Sequence, residues 1–316
     1  LKKGNVLERI TKGRVLFDGA MGTMLIARGL SPGRPPEQWN IEHPSLVLEV
    51  HEAYLAAGAE IIGTNTFGAS PARLSNFGLG AATGDINTAG VRLAERAAEE
   101  FANRTALGET GERDFVPRSP RGLPRFVAFS MGPTGKMLPP VGKTAPEEIA
   151  DEFSAQIAAA GAGFDMVLVE TMFDLREALL ALSVARNRTS VPVAVTLTFM
   201  KNPRGFFTIM GDDPARSARE LEAAGADIIG ANCTMASPEM IGLARVLRET
   251  TAVPLLCQPN AGQPRVCEGR PVYDQPAPEF ADDAAALFAA GVNAVGGCCG
   301  TTPLFIREAA ARLIER

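Results

Sequence analysis

The strongest constraint on this chain is a phrase that returns four times, at the end of a helical pattern and just ahead of a β-type run. It reads Ala56-Ala57-Gly58-Ala59-Glu60, Ala160-Gly161-Ala162-Gly163-Phe164-Asp165, Ala223-Ala224-Gly225-Ala226-Asp227 and Ala289-Ala290-Gly291-Val292-Asn293. The glycine takes the left-handed position that stops a helix, and its small neighbours let the helix lie close on a sheet. Around these stops, short β-type runs at 15–17, 60–63, 126–130, 166–170, 193–198, 227–231, 254–258 and 293–296 alternate with helical patterns. The helices are expected at 45–57, 85–101, 146–160, 175–187, 214–224, 238–250, 279–290 and 303–316. Eight β-α units joined by right-handed crossovers predict a closed (β/α)8 TIM barrel, one domain over 1–316. A doubly wound open sheet is the competing architecture, but it does not usually need eight regular units. The glycine-rich stretch 78–84 follows no strand, which argues against a dinucleotide-binding turn. Residues 103–125, rich in charge and lacking apolar periodicity, read as a long solvated loop on the face opposite the strand ends.

The chain has 316 residues, 46% of them hydrophobic, enough for a large core. Its net charge of -5 and pI near 5.3 argue against nucleic acid or an anionic membrane surface as the main partner. No apolar run reaches roughly the 18 residues of a membrane span, and charges interrupt the start where a signal peptide would lie, so the expected location is cytoplasmic. Five cysteines, an odd number without a secretion pattern, do not make a disulfide framework.

In a barrel of this kind the chemistry sits where strands end. Reading the polar residues there gives Asp18, Asn65 with Thr66, Ser130, Glu170 with Thr171, Thr198, Asn232 with Cys233, Asn260, and Cys298 with Cys299. Adjacent cysteines rarely bond to each other, so Cys298 and Cys299 read as two thiolates aimed at a third party, with Cys233 converging on it. Any one buried cysteine is plainly explained as core, but three at strand ends fit a zinc ion with an open fourth position. Their spacing is not that of a structural zinc finger. Cys257 lies inside a strand and reads as core packing, and Cys267 falls in a polar loop without an evident partner.

Asp18 either caps the turn that follows it or faces the pocket. Glu170 closes a buried apolar run, where a carboxylate needs a partner. Two such carboxylates suit an ammonium group, and the backbone N–H groups from Gly19 and Ala20 to Thr23 suit a carboxylate; with the metal, the pocket asks for an amino acid that carries a thiol. Asn65, Asn232 and Asn260 carry the plainer reading of tying loops together. The two histidines, His43 before a proline and His51 within the first long helix, read as structural.

The motifs Asp18-Gly19-Ala20-Met21-Gly22-Thr23, Gly63-Thr64-Asn65-Thr66-Phe67, Val169-Glu170-Thr171, Gly230-Ala231-Asn232-Cys233 and Gly296-Gly297-Cys298-Cys299-Gly300-Thr301 resemble those of the zinc-dependent homocysteine S-methyltransferase family. The likeness covers nearly the whole chain and is closest to the homocysteine-binding modules of cobalamin-dependent methionine synthases. It implies zinc on Cys233, Cys298 and Cys299, with homocysteine sulfur as the fourth ligand, activated as a thiolate and methylated to methionine. It also implies that Asp18 and Glu170 lie near the substrate amino group, that Gly19 and Ala20 lie near its carboxylate, that Asn65 lines the substrate pocket and that Asn232 supports the metal site. The sequence ends soon after the eighth helix, so the methyl donor is expected from outside it. That donor is methylcobalamin on a separate protein or module, or a small methylated compound.

Two other readings remain open on the residues. Gly296, Gly297 and the start of the last helix, with Thr302 and Pro303, suit a phosphate-binding barrel enzyme. A non-catalytic zinc-stabilised binding module would also use the cysteines.

Overall fold

The structure, a computed structural model, describes residues 4–31, 33–107, 125–267 and 270–314. Eight parallel strands form the barrel: β1 (Val15–Leu16), β2 (Ile61–Gly63), β3 (Phe126–Met131), β4 (Met166–Met172), β5 (Val193–Leu197), β6 (Ile228–Ala236), β7 (Leu255–Asn260) and β8 (Ala294–Val295). They pair in the order β1-β8-β7-β6-β5-β4-β3-β2, and a parallel bridge between Phe17 and Ile61 closes the ring. This is the TIM barrel that the alternating pattern predicts. The surrounding helices are α1 (Pro44–Ala57), α2 (Thr83–Ala106), α3 (Pro146–Ala160), α4 (Leu175–Arg188), α5 (Pro214–Ala223), α6 (Ser237–Thr250), α7 (Ala277–Ala289) and α8 (Pro303–Ile314). All four stop glycines adopt positive φ: Gly58 at 111°, Gly161 at 70°, Gly225 at 88° and Gly291 at 92°.

Strand alternation sorts the apolar residues into two layers. Phe17, Ile61, Phe126, Ala128, Met166, Leu168, Ala194, Ile228, Leu256 and Ala294 fill the barrel interior. Their neighbours in sequence, among them Leu16, Ile62, Val127, Val167, Val195, Ile229 and Val295, join the larger layer between strands and helices. The same parity decides what crowns the interior. Two residues beyond Ala128, Leu168, Ala194, Gly230 and Leu256 stand Ser130, Glu170, Thr196, Asn232 and Gln258, so the upper end of the barrel is polar.

Several elements go beyond the sequence reading. A short helix, Val6–Thr11, is capped by the Asn5 side chain, which accepts from Leu7 N at 2.9 Å. Its Val6 and Ile10, four apart on one face, pack into the interior cluster. Helix α2 runs on to Ala106, so 103–106 are helix where a loop is expected. Thr105 is buried there, donating to Phe101 O at 3.0 Å, and the Arg104 guanidinium lies 5.5 Å from the Phe101 ring centre. Arg125 is also buried and stacks on Phe101, at 5.3 Å. The rest of the expected loop, 108–124, lies outside the described residues. Hairpins Met200–Asn202 with Gly205–Phe207, and Arg265–Cys267 with Arg270–Val272, stand on the rim after β5 and β7. Among the described residues no helix is long and apolar enough to cross a membrane.

His51 is structural, as read. It is fully buried in α1, and neither ring nitrogen has a hydrogen-bond partner among the described residues. Burial pushes its pKa down to about 4. In the unfolded chain the ring takes up a proton below about pH 6.5, which the folded state refuses, so stability falls as pH drops from there toward 4, by up to about 3 kcal/mol. His51→Leu is expected to remove this part of the acid destabilisation. Denaturant midpoints at pH 7 and pH 4.5 check it: the drop between them should shrink in the variant, and an unchanged drop would refute the assignment.

Candidate metal centre and substrate pocket

The sulfurs of Cys233, Cys298 and Cys299 all lie within 4.8 Å of one another, and Cys233 Sγ is 3.8 Å from Cys299 Sγ. Four sulfurs bound to zinc at about 2.3 Å in a tetrahedron stand about 3.8 Å apart, the separation already seen between Cys233 and Cys299. Local backbone produces it. After Asn232 the register of β6 against β7 shifts, and Cys233 and Thr234 take φ of 58° and 55°. Left-handed φ is costly for a β-branched threonine. The Thr234 hydroxyl donates to Phe199 O at 2.8 Å, holding the bulge. On the other side, Cys298 N donates to Pro259 O at 2.8 Å, and Ala261 N donates to Cys299 O at 3.0 Å. Gly300, at φ 82°, lies so close under Tyr273 that an added Cβ would sit 2.5 Å from that residue's Cβ.

Without a cation the three thiols compete for one negative charge. Hydrogen bonds from Cys233 and then Cys298 hold the Cys299 pKa low, while its bonds with Cys233 and then Cys299 push that of Cys298 well up. The three sulfurs form a group that could hold a metal ion, and soft sulfur donors suit zinc. Cys257 is buried in the outer layer, its pKa raised to about 12 by burial, and Cys267 is exposed. Neither joins the cluster.

The thiols open into a cavity of about 330 Å³ that Asp18 and Glu170 also line. Asp18 does not cap the following helix; its carboxylate accepts from Gly63 N at 2.8 Å. Burial, with Glu170 adding repulsion, raises its pKa well above the usual range. Burial raises that of Glu170 to about 7, against a stabilising bond from the Ser130 hydroxyl. Two buried acids that resist ionising together create a site for a cation.

Asn232 ties this wall together. Its Oδ1 accepts from Thr171 N and from the Thr196 hydroxyl, both at 2.8 Å. Its amide donates to Thr171 Oγ1 at 2.7 Å and to Glu170 Oε2 at 3.3 Å. One residue thus orients the carboxylate, pins Thr171 at φ 60° and directly precedes Cys233 of the sulfur cluster. Asn65 also lines the cavity, but its amide protons go to Pro36 O at 2.9 Å and Asn40 Oδ1 at 2.8 Å, which braces the covering loop. Asn260 and Thr198 are buried at their strand ends, but the cavity wall on β7 is Gln258.

The turn after β1 is clamped from behind. An added Cβ on Gly19 would meet Thr301 Oγ1 at 2.5 Å and the Tyr54 hydroxyl at 2.9 Å. Ala20 N donates to Thr301 Oγ1 at 3.1 Å, and the Tyr54 hydroxyl donates to Ala20 O at 3.0 Å. The N–H of Ala20 is therefore already engaged, although Ala20 lines the cavity together with Gly19, Met21, Gly22 and Thr23. Tyr54 and Thr301 escaped the sequence reading because only the fold brings them to this turn. Glu37 escaped it too: buried in the covering loop, it accepts from Gly68 N at 2.6 Å and latches two rim loops. His43, against Trp39 with ring centres 4.6 Å apart, and His51 lie outside the cavity lining.

A closed parallel barrel whose C-terminal rim holds a cysteine cluster and paired buried carboxylates in one cavity is the layout of a barrel enzyme. Residues 15–313 match the family model described as homocysteine S-methyltransferase, and the chain belongs to that family. It is 31% identical to methionine synthase of Mycobacterium tuberculosis and 30% identical to that of Mycobacterium leprae, in each case over 97% of this chain and 25% of the relative. The chain thus spans a quarter of the length of these relatives. Among solved structures, it resembles the metallated form of the homocysteine methyltransferase MmuM from Escherichia coli. That match has a TM-score of 0.76 and 25% identity, and covers 94% of this chain and 96% of the other.

Proposed function

We propose that this barrel, as a single homocysteine-binding domain, methylates homocysteine to methionine, with Cys233, Cys298 and Cys299 as zinc ligands. The observation that carries this reading is that the three sulfurs share one cavity with the Asp18–Glu170 pair. A ligand bound there meets a thiol-seeking end and an amine-seeking end together. Zinc, when bound, supplies the Lewis acid that brings a thiol with an ordinary pKa of about 8.5 to its thiolate form at neutral pH. Asp18 and Glu170 hold the α-ammonium group, with Ser130 and Asn232 fixing the orientation of Glu170. Backbone N–H groups of the turn from Gly19 to Thr23 face the carboxylate, and Leu168, Phe67 and Met21 line the apolar part of the cavity. No general base is required, which suits a site without histidine. The likeness to methionine synthases favours methylcobalamin on a separate module or protein as the donor.

The phosphate reading finds no cradle. A Cβ on Gly296 would meet Phe17 Cβ at 2.6 Å and Asp18 O at 2.8 Å, and one on Gly297 would meet Thr301 Cβ at 2.7 Å, so protein atoms fill the room both glycines leave. A purely structural zinc would need a fourth protein donor, and among the described residues the cluster contains three. The test is zinc-loaded protein mixed with homocysteine and, in parallel, methylcobalamin, betaine and S-methylmethionine. Methionine is expected with methylcobalamin, and its absence from all three mixtures would sink the proposal.

Product binding gives a second check, because methionine has no thiol proton to lose. The Glu170 carboxyl, titrating near 7, is mostly neutral at pH 6 and charged at pH 8. Methionine affinity should therefore rise across that range, by roughly tenfold. In Glu170→Gln the rise should flatten, with binding at pH 8 weakened about tenfold. Calorimetric titration at the two pH values decides it: an equally steep rise in the variant would remove Glu170 from the ammonium site.

A further inference from the structure

Four residues of the polar crown are joined by side-chain hydrogen bonds, whereas on β7 the buried side-chain oxygens of Gln258 and Asn260 have no partner among the described residues, and of these two only Gln258 lines the cavity. Ser130 bonds Glu170, and Asn232 bonds both Glu170 and Thr196. Gln258, the corresponding inward residue of β7, is only 5% exposed and lines the cavity, yet its amide has no hydrogen-bond partner among the described residues, with Oε1 cut off from solvent. A buried polar group left unpaired is costly, and native structures seldom keep one without a use. Its position is specific. It pairs in register with Asn232, and its Cγ would stand 3.3 Å from a Cβ on Gly296, which would also meet Asp18 O. The unpaired amide therefore lies between the strands that carry the cysteines and beside the backbone of Asp18.

Resting on the homocysteine reading above, we infer that Gln258 supplies the third acceptor for the α-ammonium group of the substrate. An ammonium carries three protons, and Asp18 and Glu170 account for two. Turning the amide about its last torsion presents its oxygen to the cavity, and a bound ammonium gives that oxygen the partner it lacks. Gln258 is thereby a specificity residue, separating amino-acid thiols from thiols that lack the amine.

The experiment is calorimetric titration of zinc-loaded protein with homocysteine and with 4-mercaptobutanoate, which keeps the thiol and carboxylate and drops the amine. The parent is expected to prefer homocysteine strongly. Gln258→Leu should lose about 10- to 100-fold in homocysteine affinity, the range for a hydrogen bond to a charged group, and bind 4-mercaptobutanoate as the parent does. Gln258→Glu, which keeps an acceptor, should retain the preference. In turnover the leucine variant should raise KM for homocysteine with kcat held within about threefold. Equal weakening toward both ligands, or no change toward either, overturns the role of Gln258 while leaving the proposed function standing. A parent that binds neither ligand overturns both. If the leucine variant does not fold, Gln258→Met, closer in shape, carries the same comparison.

Discussion

Replacing Cys298 with alanine is expected to give a folded barrel that retains no zinc and forms methionine at less than about one thousandth of the parent rate. The fold should survive because the backbone contacts of Cys298, its N–H to Pro259 O and its carbonyl to the Thr301 hydroxyl at 2.7 Å, do not need the side chain. Its thiol faces the cavity and belongs to neither apolar layer. The metal should not survive. Outlying partners of metal ligands are worth 10- to 100-fold in affinity, and a direct ligand out of only three is worth more. Without zinc, the substrate thiol is mostly protonated at neutral pH. Cys257→Ala is the control: it opens a small gap in the outer layer, costs about 1 kcal/mol of stability, and should leave zinc and turnover intact. Metal analysis, melting curves and a methionine assay on the two variants check the pair. If Cys298→Ala keeps one zinc per chain, the centre is misplaced.

The same logic sets the effect of a chelator. A ligand at a thousand times its dissociation constant stabilises the folded state by about 4 kcal/mol. Stripping zinc should therefore lower the melting temperature by roughly 6 °C in a chain of this size and leave a cooperative transition. A zinc-dependent scaffold would instead unfold outright.

How far the sequence reveals this molecule depends on the range of the interaction concerned. The barrel was legible because helix stops and strand alternation are local: the four glycines predicted to be left-handed do adopt positive φ. The cysteine cluster was legible because ligands at strand ends of a barrel must converge. Its carboxylate neighbours followed from the same geometry, although the capping alternative for Asp18 had to wait for the Gly63 bond. The clamp of Tyr54 and Thr301 on the Gly19–Ala20 turn was not legible. It joins residues 281 positions apart, and neither residue type signals its partner. Gln258 was within reach but passed over in favour of Asn260. Counting by twos from Leu256 puts Gln258 on the interior face, and the polar ending Gln258-Pro259-Asn260 offered two candidates on the same face. The short helix at Val6–Thr11 was obscured by the charges between its two buried residues.

Gly230→Ala should prevent folding or leave a barrel destabilised by at least about 4 kcal/mol, even though it adds a single methyl group. Gly230 stands on the inward face of β6 and pairs with Leu256 of β7. A Cβ there would overlap the Leu256 carbonyl oxygen and come within 2.7 Å of its carbonyl carbon and 3.1 Å of its nitrogen. These are backbone atoms of a neighbouring strand, so no rotamer change relieves the overlap; the strands must part, and close-packed interiors resist that. Gly242→Ala, in the middle of α6, is the contrasting case. Its new Cβ would meet the flexible end of Phe206 at 3.4 Å, and the helix gains about 0.5–1 kcal/mol from losing a glycine. Soluble yield and melting temperature of both variants test the argument, which fails if Gly230→Ala melts within a few degrees of the parent. The consequence for function is as direct as that for stability. Asn232 and Cys233 follow on the same strand, and Gln258 follows Leu256 on the facing one, so any parting of β6 from β7 separates Cys233 from Cys298 and Cys299. A fold that tolerated the methyl group would therefore still lose the spacing of about 3.8 Å that zinc requires.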